Sequence, residues 1–174
     1  MLDKVVAFID SIGIPIQKGK VPKSSFLPNI AIKRGGIVYN DEVCTADILH
    51  EAGHLAIIPL QYRDICSGDM DKSAQKIWNK AQKNGHMEID TPIFRQLIQA
   101  SECEAIAWSW AAGKYIGLAD EEIITDDPRH FNGEGEEIRE YLSLNSHFGI
   151  NGLRAGGMLD SVKSYPQLTR WVQP

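Results

Sequence analysis

Cysteine is scarce. Cys44, Cys66 and Cys103 are an odd number, and none stands in a CxxC pair. That excludes a disulfide-stapled scaffold and a four-cysteine zinc knuckle, and it fits free thiols in a reducing compartment. Long apolar runs are missing too. Nothing approaches the roughly 20 residues needed to span a bilayer, so no membrane partner is expected. The opening "MLDKVVAFIDSIGIPI" has acidic residues inside its apolar stretch and no small-residue cleavage pattern. It reads as a short amphipathic helix on Val5, Phe8, Ile9 and Ile12, not as a leader peptide, and a cytoplasmic location is expected. Basic charge is not in excess: 18 Lys and Arg face 23 Asp and Glu, for a net charge of −5. No nucleic-acid partner held through phosphate contacts is therefore expected. The glycines fit neither GxGxxG nor GxxxxGK[ST], which removes the common nucleotide loops and leaves them to be read as turns.

What is present describes an ordinary globular chain. Its 174 residues are 43% hydrophobic and 24% charged, enough for a real core in a single domain over 1–174. A helix over about 3–12 should stop at Gly13 and Pro15. "GKVPKSSF" reads as a polar loop. Ile30–Ile32 and Ile37–Tyr39 flank Arg34-Gly35-Gly36 as a short hairpin. Asn40, Asp41 and Thr45 are candidate caps for a helix over 46–58, apolar nearly all round and ended by Pro59. A loop over about 60–70 leads to a surface helix in "DKSAQKIWNKAQKNG". Ala74, Ile77, Trp78 and Ala81 form its inner face, and Lys72, Lys76, Lys80 and Lys83 lie on a solvated one. Thr91-Pro92 opens one long helix running to about Tyr115, also apolar in its middle. "DDPRHFNGEGEE" is turn-rich, Glu136–Leu144 reads as a short helix, and the Gly-rich tail ends in one more. The class expected is α+β, mainly helical, with a small hairpin or sheet.

Chemistry concentrates in "ADILHEAGHLAI", residues 46–57. His50 and His54, four apart, share one helix face, and their imidazoles can converge on one tetrahedral ion at about 2.0–2.1 Å. Glu51 is rotated from His50 by about 100°. It is therefore no ligand, but a general base toward a water acidified by such an ion. Ala52 and Gly53 are small, as suits a helix approached by metal and substrate. A third protein ligand is required. Ile57 and Leu60 occupy the positions that HExxHxxGxxH would fill with glycine and histidine. The alternative is a downstream glutamate, and "ASECEAIAW" offers Glu102 and Glu104. They lie about 200° apart on a helix, so only one can face the ion. Asp64, Asp69, Glu88 and Asp90 stand in more polar surroundings. The donor for a developing oxyanion is sought first in His147, then in His86, His130, Tyr62, Tyr141, Arg154 and Tyr165. Trp108, Trp110 and Tyr115 read as core.

With "LHEAGHLA" (49–56) and "ECEA" (102–105), the chain resembles gluzincin-type HExxH zinc metallopeptidases, nearest the small bacterial and phage ImmA/IrrE-like group. The likeness covers about 60 residues, from Asp47 to Ala107. It implies a zincin-like fold, with a small sheet beside the HExxH helix and a second ligand-bearing helix. It implies one Zn2+ per chain held by His50, His54 and a glutamate, and a peptide or protein substrate cut through Glu51. The family's second helix often reads E-x-x-A-[DN], which assigns the ligand to Glu102 in preference to Glu104. Ile106 departs from it, standing where Asp or Asn usually supports a ligand histidine. The alternative is a zincin-like binding or regulatory module with a structural metal and no peptidase activity.

Overall fold

A computed structural model describes residues 1–174 apart from 24, 26 and 129–132. In chain order it contains α1 (Leu2–Ser11), β1 (Ile16–Lys18), β2 (Ile30–Lys33), β3 (Gly36–Tyr39), α2 (Thr45–Ile57), α3 (Leu60–Arg63) and α4 (Met70–Lys83). There follow α5 (Pro92–Ile98), α6 (Glu102–Ile116), α7 (Asp120–Ile123), α8 (Gly135–Ser143) and α9 (Phe148–Ala155), then a 3-10 turn, Val162–Ser164. The architecture is α+β, mainly helical, with one three-stranded mixed sheet. None of the described helices is long and apolar enough to cross a membrane.

The hairpin forms where the sequence places it. Ile30 pairs with Tyr39 and Ile32 with Ile37, antiparallel. Arg34 and Gly35 both take left-handed φ, 47° and 72°, the pair of values a type I′ turn requires. The sheet has a third strand that the sequence reading left out. β1 pairs parallel with β3, giving the order β1-β3-β2. Only three residues long and mostly exposed, β1 has no alternation of its own, and its ladder partners are what hold it extended.

α2 is the centre of the molecule. Ile48, Leu49, Ala52, Leu55 and Ala56 are fully buried, and the helix packs against α6, α1, α7 and the hairpin. Each buried leucine or isoleucine here contributes about 1.5–3 kcal/mol. Its N-cap is Cys44, with no side-chain cap bond, in place of the expected Asn40, Asp41 or Thr45. Two stretches of the helix pattern differ from expectation. The expected loop at 60–70 contains the single turn α3. The expected long helix from Thr91-Pro92 is two helices, broken at 99–101. Thr91 does cap α5, its Oγ1 accepting the Phe94 N–H at 3.3 Å. Ser101 then begins α6, in a Ser-x-x-Glu sequence that is itself a helix-start signature. Gly117, at φ 78°, ends α6.

The last residues brace α2 from behind. The Gln173 N–H donates to the Ala56 carbonyl at 2.9 Å, and the Leu60 N–H to Pro174 at 3.2 Å. The buried Arg63 guanidinium donates to the carbonyls of Ile58 and Gln173, while the Trp108 indole donates to the Trp171 carbonyl at 2.8 Å. The Ala56 carbonyl, one of those that the end of a helix leaves without an intrahelical partner, is thus served by a distant segment.

The three cysteines are free thiols. Burial pushes the Cys66 thiol up to about 12 from its ordinary 9.0, while Cys44 is exposed. Thiolate is the reactive form. Labelling with a disulfide reagent near pH 8 should therefore modify Cys44 at once and Cys66 only on unfolding. Equal rates at the two sites would contradict the burial of Cys66.

Candidate metal centre

Two helices from distant parts of the chain build this site. His50 and His54 rise from one face of α2, and Glu102 is the first residue of α6. His50 Nε2 lies 3.1 Å from His54 Nε2 and 3.0 Å from Glu102 Oε1, and His54 Nε2 lies 3.2 Å from Glu102 Oε2. Each carboxylate oxygen therefore faces a different imidazole. The histidine side chains are only 15% and 11% exposed, whereas Glu102 is 60% exposed. The cluster is walled on the α2 side and open on the Glu102 side.

These residues fit a metal of the zinc kind. Four ligands at about 2.0–2.1 Å in a tetrahedron stand about 3.3–3.4 Å apart, close to the three edges above. Two nitrogens and a carboxylate suit zinc and disfavour calcium, which takes oxygen alone. Protons serve the arrangement poorly. If both Nε2 atoms carry hydrogen toward Glu102, two donors face each other at 3.1 Å. A central cation satisfies all three atoms together.

Close helix approach makes the geometry possible. A Cβ on Gly53 would lie 2.6 Å from the Ala105 carbonyl oxygen and 3.1 Å from Ser109 Oγ. The small residue in the motif thus serves contact with α6, where the sequence reading assigned it to metal and substrate approach. The Ser109 hydroxyl lies 3.0 Å from the Leu49 carbonyl and 2.8 Å from that of Ala105, tying the two helices together. α9 lies on the other side of α6. Cβ atoms on Gly149 and Gly152 would collide with the Cys103 carbonyl and the Glu104 carboxylate. These glycines were expected in turns, yet both lie inside a helix.

Glu102 and Glu104 separate cleanly. Glu104 is 7% exposed, accepts a hydrogen bond from Ser101 Oγ and packs on Gly152, so it points away from the histidines. Glu51 is largely buried beside the cluster. Burial raises its carboxyl above the usual range, opposed by the charges of His54 and His50. Burial alone would lower the pKa of His50, but the Glu102 carboxylate, with Glu51 and Asp47, carries it above its ordinary 6.5. Glu102 shows the reverse. Burial would raise it, and the two imidazoles hold it far below 4.5. Asp47, 4% exposed and one turn before His50, is a contributor that the sequence reading missed. A charged residue on the buried face of an apolar helix was the available signal.

The directions of these shifts fix a pH response. His50, raised in the folded chain, contributes stability that is complete below 6.5 and is lost as pH rises through its folded value. Glu102, depressed, contributes stability that is complete above 4.5 and is lost as pH falls. Without metal, the stability difference between wild type and Glu102→Gln should peak between about pH 4.5 and 6.5 in urea melts with chelator present. Metal affinity should run the other way. It should rise about tenfold per pH unit while His50 still holds a proton that the metal must displace. A flat difference profile would remove the ion pair from the folded state.

The remaining candidates lie elsewhere. His147 is the N-cap of α9, its Nδ1 accepting the Gly149 N–H at 3.2 Å. Burial lowers its pKa. Gly149 seats on Cys103, so His147 flanks the start of α6. Tyr62 is buried, its hydroxyl 2.6 Å from His86 Nδ1. Tyr165 donates to the Ala107 carbonyl and Tyr141 to Glu137, while Arg154 is exposed. His130 lies outside the described residues. Asp69 caps α4, and Asp90 lies 3.7 Å from Arg95. Among the described residues, the one group placed to hold a metal is His50, His54 and Glu102. Trp108 and Trp110 are core, whereas Tyr115 is 69% exposed. His54 and Glu102 also line a pocket of about 270 Å³ that runs toward α4 and α5. Comparison with protein-family models, curated proteins and solved structures finds no match to this chain.

Proposed function

We propose that this chain is a zinc-dependent metallopeptidase of zincin-like fold. His50, His54 and Glu102 hold one Zn2+, Glu51 is the general base, and the substrate is a peptide or protein. The observation that carries the reading is the convergence of three donor atoms from α2 and α6 at 3.0–3.2 Å. The gluzincin resemblance of "LHEAGHLA" and "ECEA" agrees with it. So does the openness of the cluster on the Glu102 side, since a purely structural site is closed by four protein ligands.

Bound there, Zn2+ supplies Lewis acidity toward a substrate carbonyl and acidifies water. The protein supplies the rest. His50 and His54 present Nε2 from one rigid helix face, so the donors need no rearrangement on binding. The Glu51 carboxylate takes the proton of the attacking water. It returns that proton to the amide nitrogen as the C–N bond breaks and the amine leaves. Its burial strengthens it as a base, matching proton affinity to the task. In neutral His147, Nδ1 accepts the Gly149 N–H, so the ring proton sits on Nε2, the form that donates to a developing oxyanion. Lowering of the His147 pKa by burial favours that neutral ring near pH 7.

The test is metal content joined to hydrolysis. Purified protein should hold about one zinc per chain and cleave unfolded polypeptide. Glu51→Gln should keep the metal and lose about 10²–10⁴-fold in rate. Failure to bind zinc would sink the reading. Full hydrolysis in Glu51→Gln would remove Glu51 as the base. Zinc binding without hydrolysis in wild type would favour a binding module.

A further inference from the structure

The pocket beside the metal centre is not explained by zinc binding. Seven of its eleven lining residues are apolar. Met70, Ala74 and Trp78 come from α4, Leu97 from α5 and Ile58 from the end of α2, and the pocket ends on His54 and Glu102. The inner face of α4 was expected to hold Ala74, Ile77, Trp78 and Ala81. Only Ile77 and Ala81 of these are buried, with Ser73 beside them. Ala74 and Trp78 line the pocket together with buried Ile77 but stay open to solvent, the indole 42% exposed. Two apolar residues are therefore held on a rigid helix, uncovered, next to the candidate catalytic atoms. The lysines of α4 do not line the pocket, and its acidic members are Asp71 and Glu102, the latter engaged by the histidines. Its volume, about 270 Å³, lies just under the roughly 300–1,000 Å³ of whole-ligand sites, so it suits one or two side chains and not a folded surface.

We infer that this pocket selects the substrate, receiving an apolar side chain of leucine or phenylalanine size next to the bond that is cut. The inference rests on the peptidase reading of the metal centre. It is tested with acetylated, amidated peptides of glycine and serine that carry one central Leu, Phe, Lys or Asp. Cleavage by zinc-loaded protein is mapped by mass spectrometry, and binding is followed by tryptophan fluorescence, to which the exposed Trp78 contributes. Leu and Phe peptides should be cut beside that residue at least about tenfold faster than Lys or Asp peptides, within the range an apolar pocket contributes. Ala74→Phe, on an exposed position that fills the pocket, should remove that preference and the fluorescence response while zinc content and melting temperature stay unchanged. Cleavage without preference, preference for Lys or Asp, or an unaltered Ala74→Phe would overturn the pocket and leave the peptidase standing. If no peptide is cut but Leu and Phe peptides still bind, and Ala74→Phe abolishes binding, the chemistry fails and the pocket stands. Absence of both cleavage and binding of the Leu and Phe peptides would overturn the pocket.

Discussion

Replacing Gly149 with alanine should destabilise the protein by about 3 kcal/mol, at the upper end of what overpacking costs. The added Cβ would meet the Cys103 carbonyl and the Glu104 backbone nitrogen. These are backbone atoms at the start of α6 and have no rotamer by which to move aside. For a chain of this length each kcal/mol lowers the melting temperature by about 2–4 °C, so a fall of roughly 6–12 °C is expected. The effect should extend to the metal, since Glu102 is the residue before Cys103 and any retreat of α6 carries it from the histidines. Gly53→Ala presses on α6 from the opposite side, against the Ala105 carbonyl, and should also weaken zinc binding. Asn151→Ala, exposed on the same helix as Gly149, should stay within about 0.5 kcal/mol of wild type. Thermal melts and zinc titration of the three variants make the check. A Gly149→Ala protein that melts like wild type would refute the packing of α9 on α6.

Exchanging the two glutamates of "ECEA" for glutamine should separate binding from stability. Glu102→Gln replaces a charged oxygen donor with a neutral amide at the exposed corner of the triad. Zinc affinity should fall by more than about 100-fold, beyond the 10–100-fold typical of losing a residue that only supports a ligand. The fold should survive, because the Glu102 side chain is 60% exposed. Glu104→Gln should do the opposite. Its buried carboxylate accepts from Ser101 and fits against Gly152, so its loss should lower stability by about 1–3 kcal/mol while zinc stoichiometry remains one per chain. Competition with a chromophoric chelator, run beside urea unfolding, distinguishes the two. Full zinc affinity in Glu102→Gln with loss in Glu104→Gln would reverse the assignment.

The sequence made much of this visible, for physical reasons that can be named. The hairpin was legible because Arg34-Gly35-Gly36 breaks two β-prone runs. The central helix was legible because its apolar residues recur at helical spacing up to Pro59. The approach of Glu102 to two histidines about fifty residues earlier was foreseen only through the family resemblance, since spacing alone left Glu102 and Glu104 open. The break at 99–101 was hidden because apolar periodicity continues through it. Only Ser101, a helix-start residue with Glu104 three positions on, marked the restart. α9 was hidden for a different reason. Gly149, Gly152 and Gly156 look like turn residues, and nothing local distinguishes a glycine that bends the chain from one that lets a second helix come close. β1 exists through its partner strand and carries no pattern of its own.

The bracing of α2 by Gln173 and Pro174 sets an order of events in synthesis. His50, Glu51 and His54 leave the ribosome well over a hundred residues before the segment that holds the end of their helix. At about 5–20 residues per second, the two histidines wait roughly 6–24 s for the chain that completes their surroundings. During that interval the nascent protein carries the histidine pair on a helix whose end is not yet braced. Bracing of the end of α2 is therefore a late step, open to the chain only once residues 173 and 174 have been made.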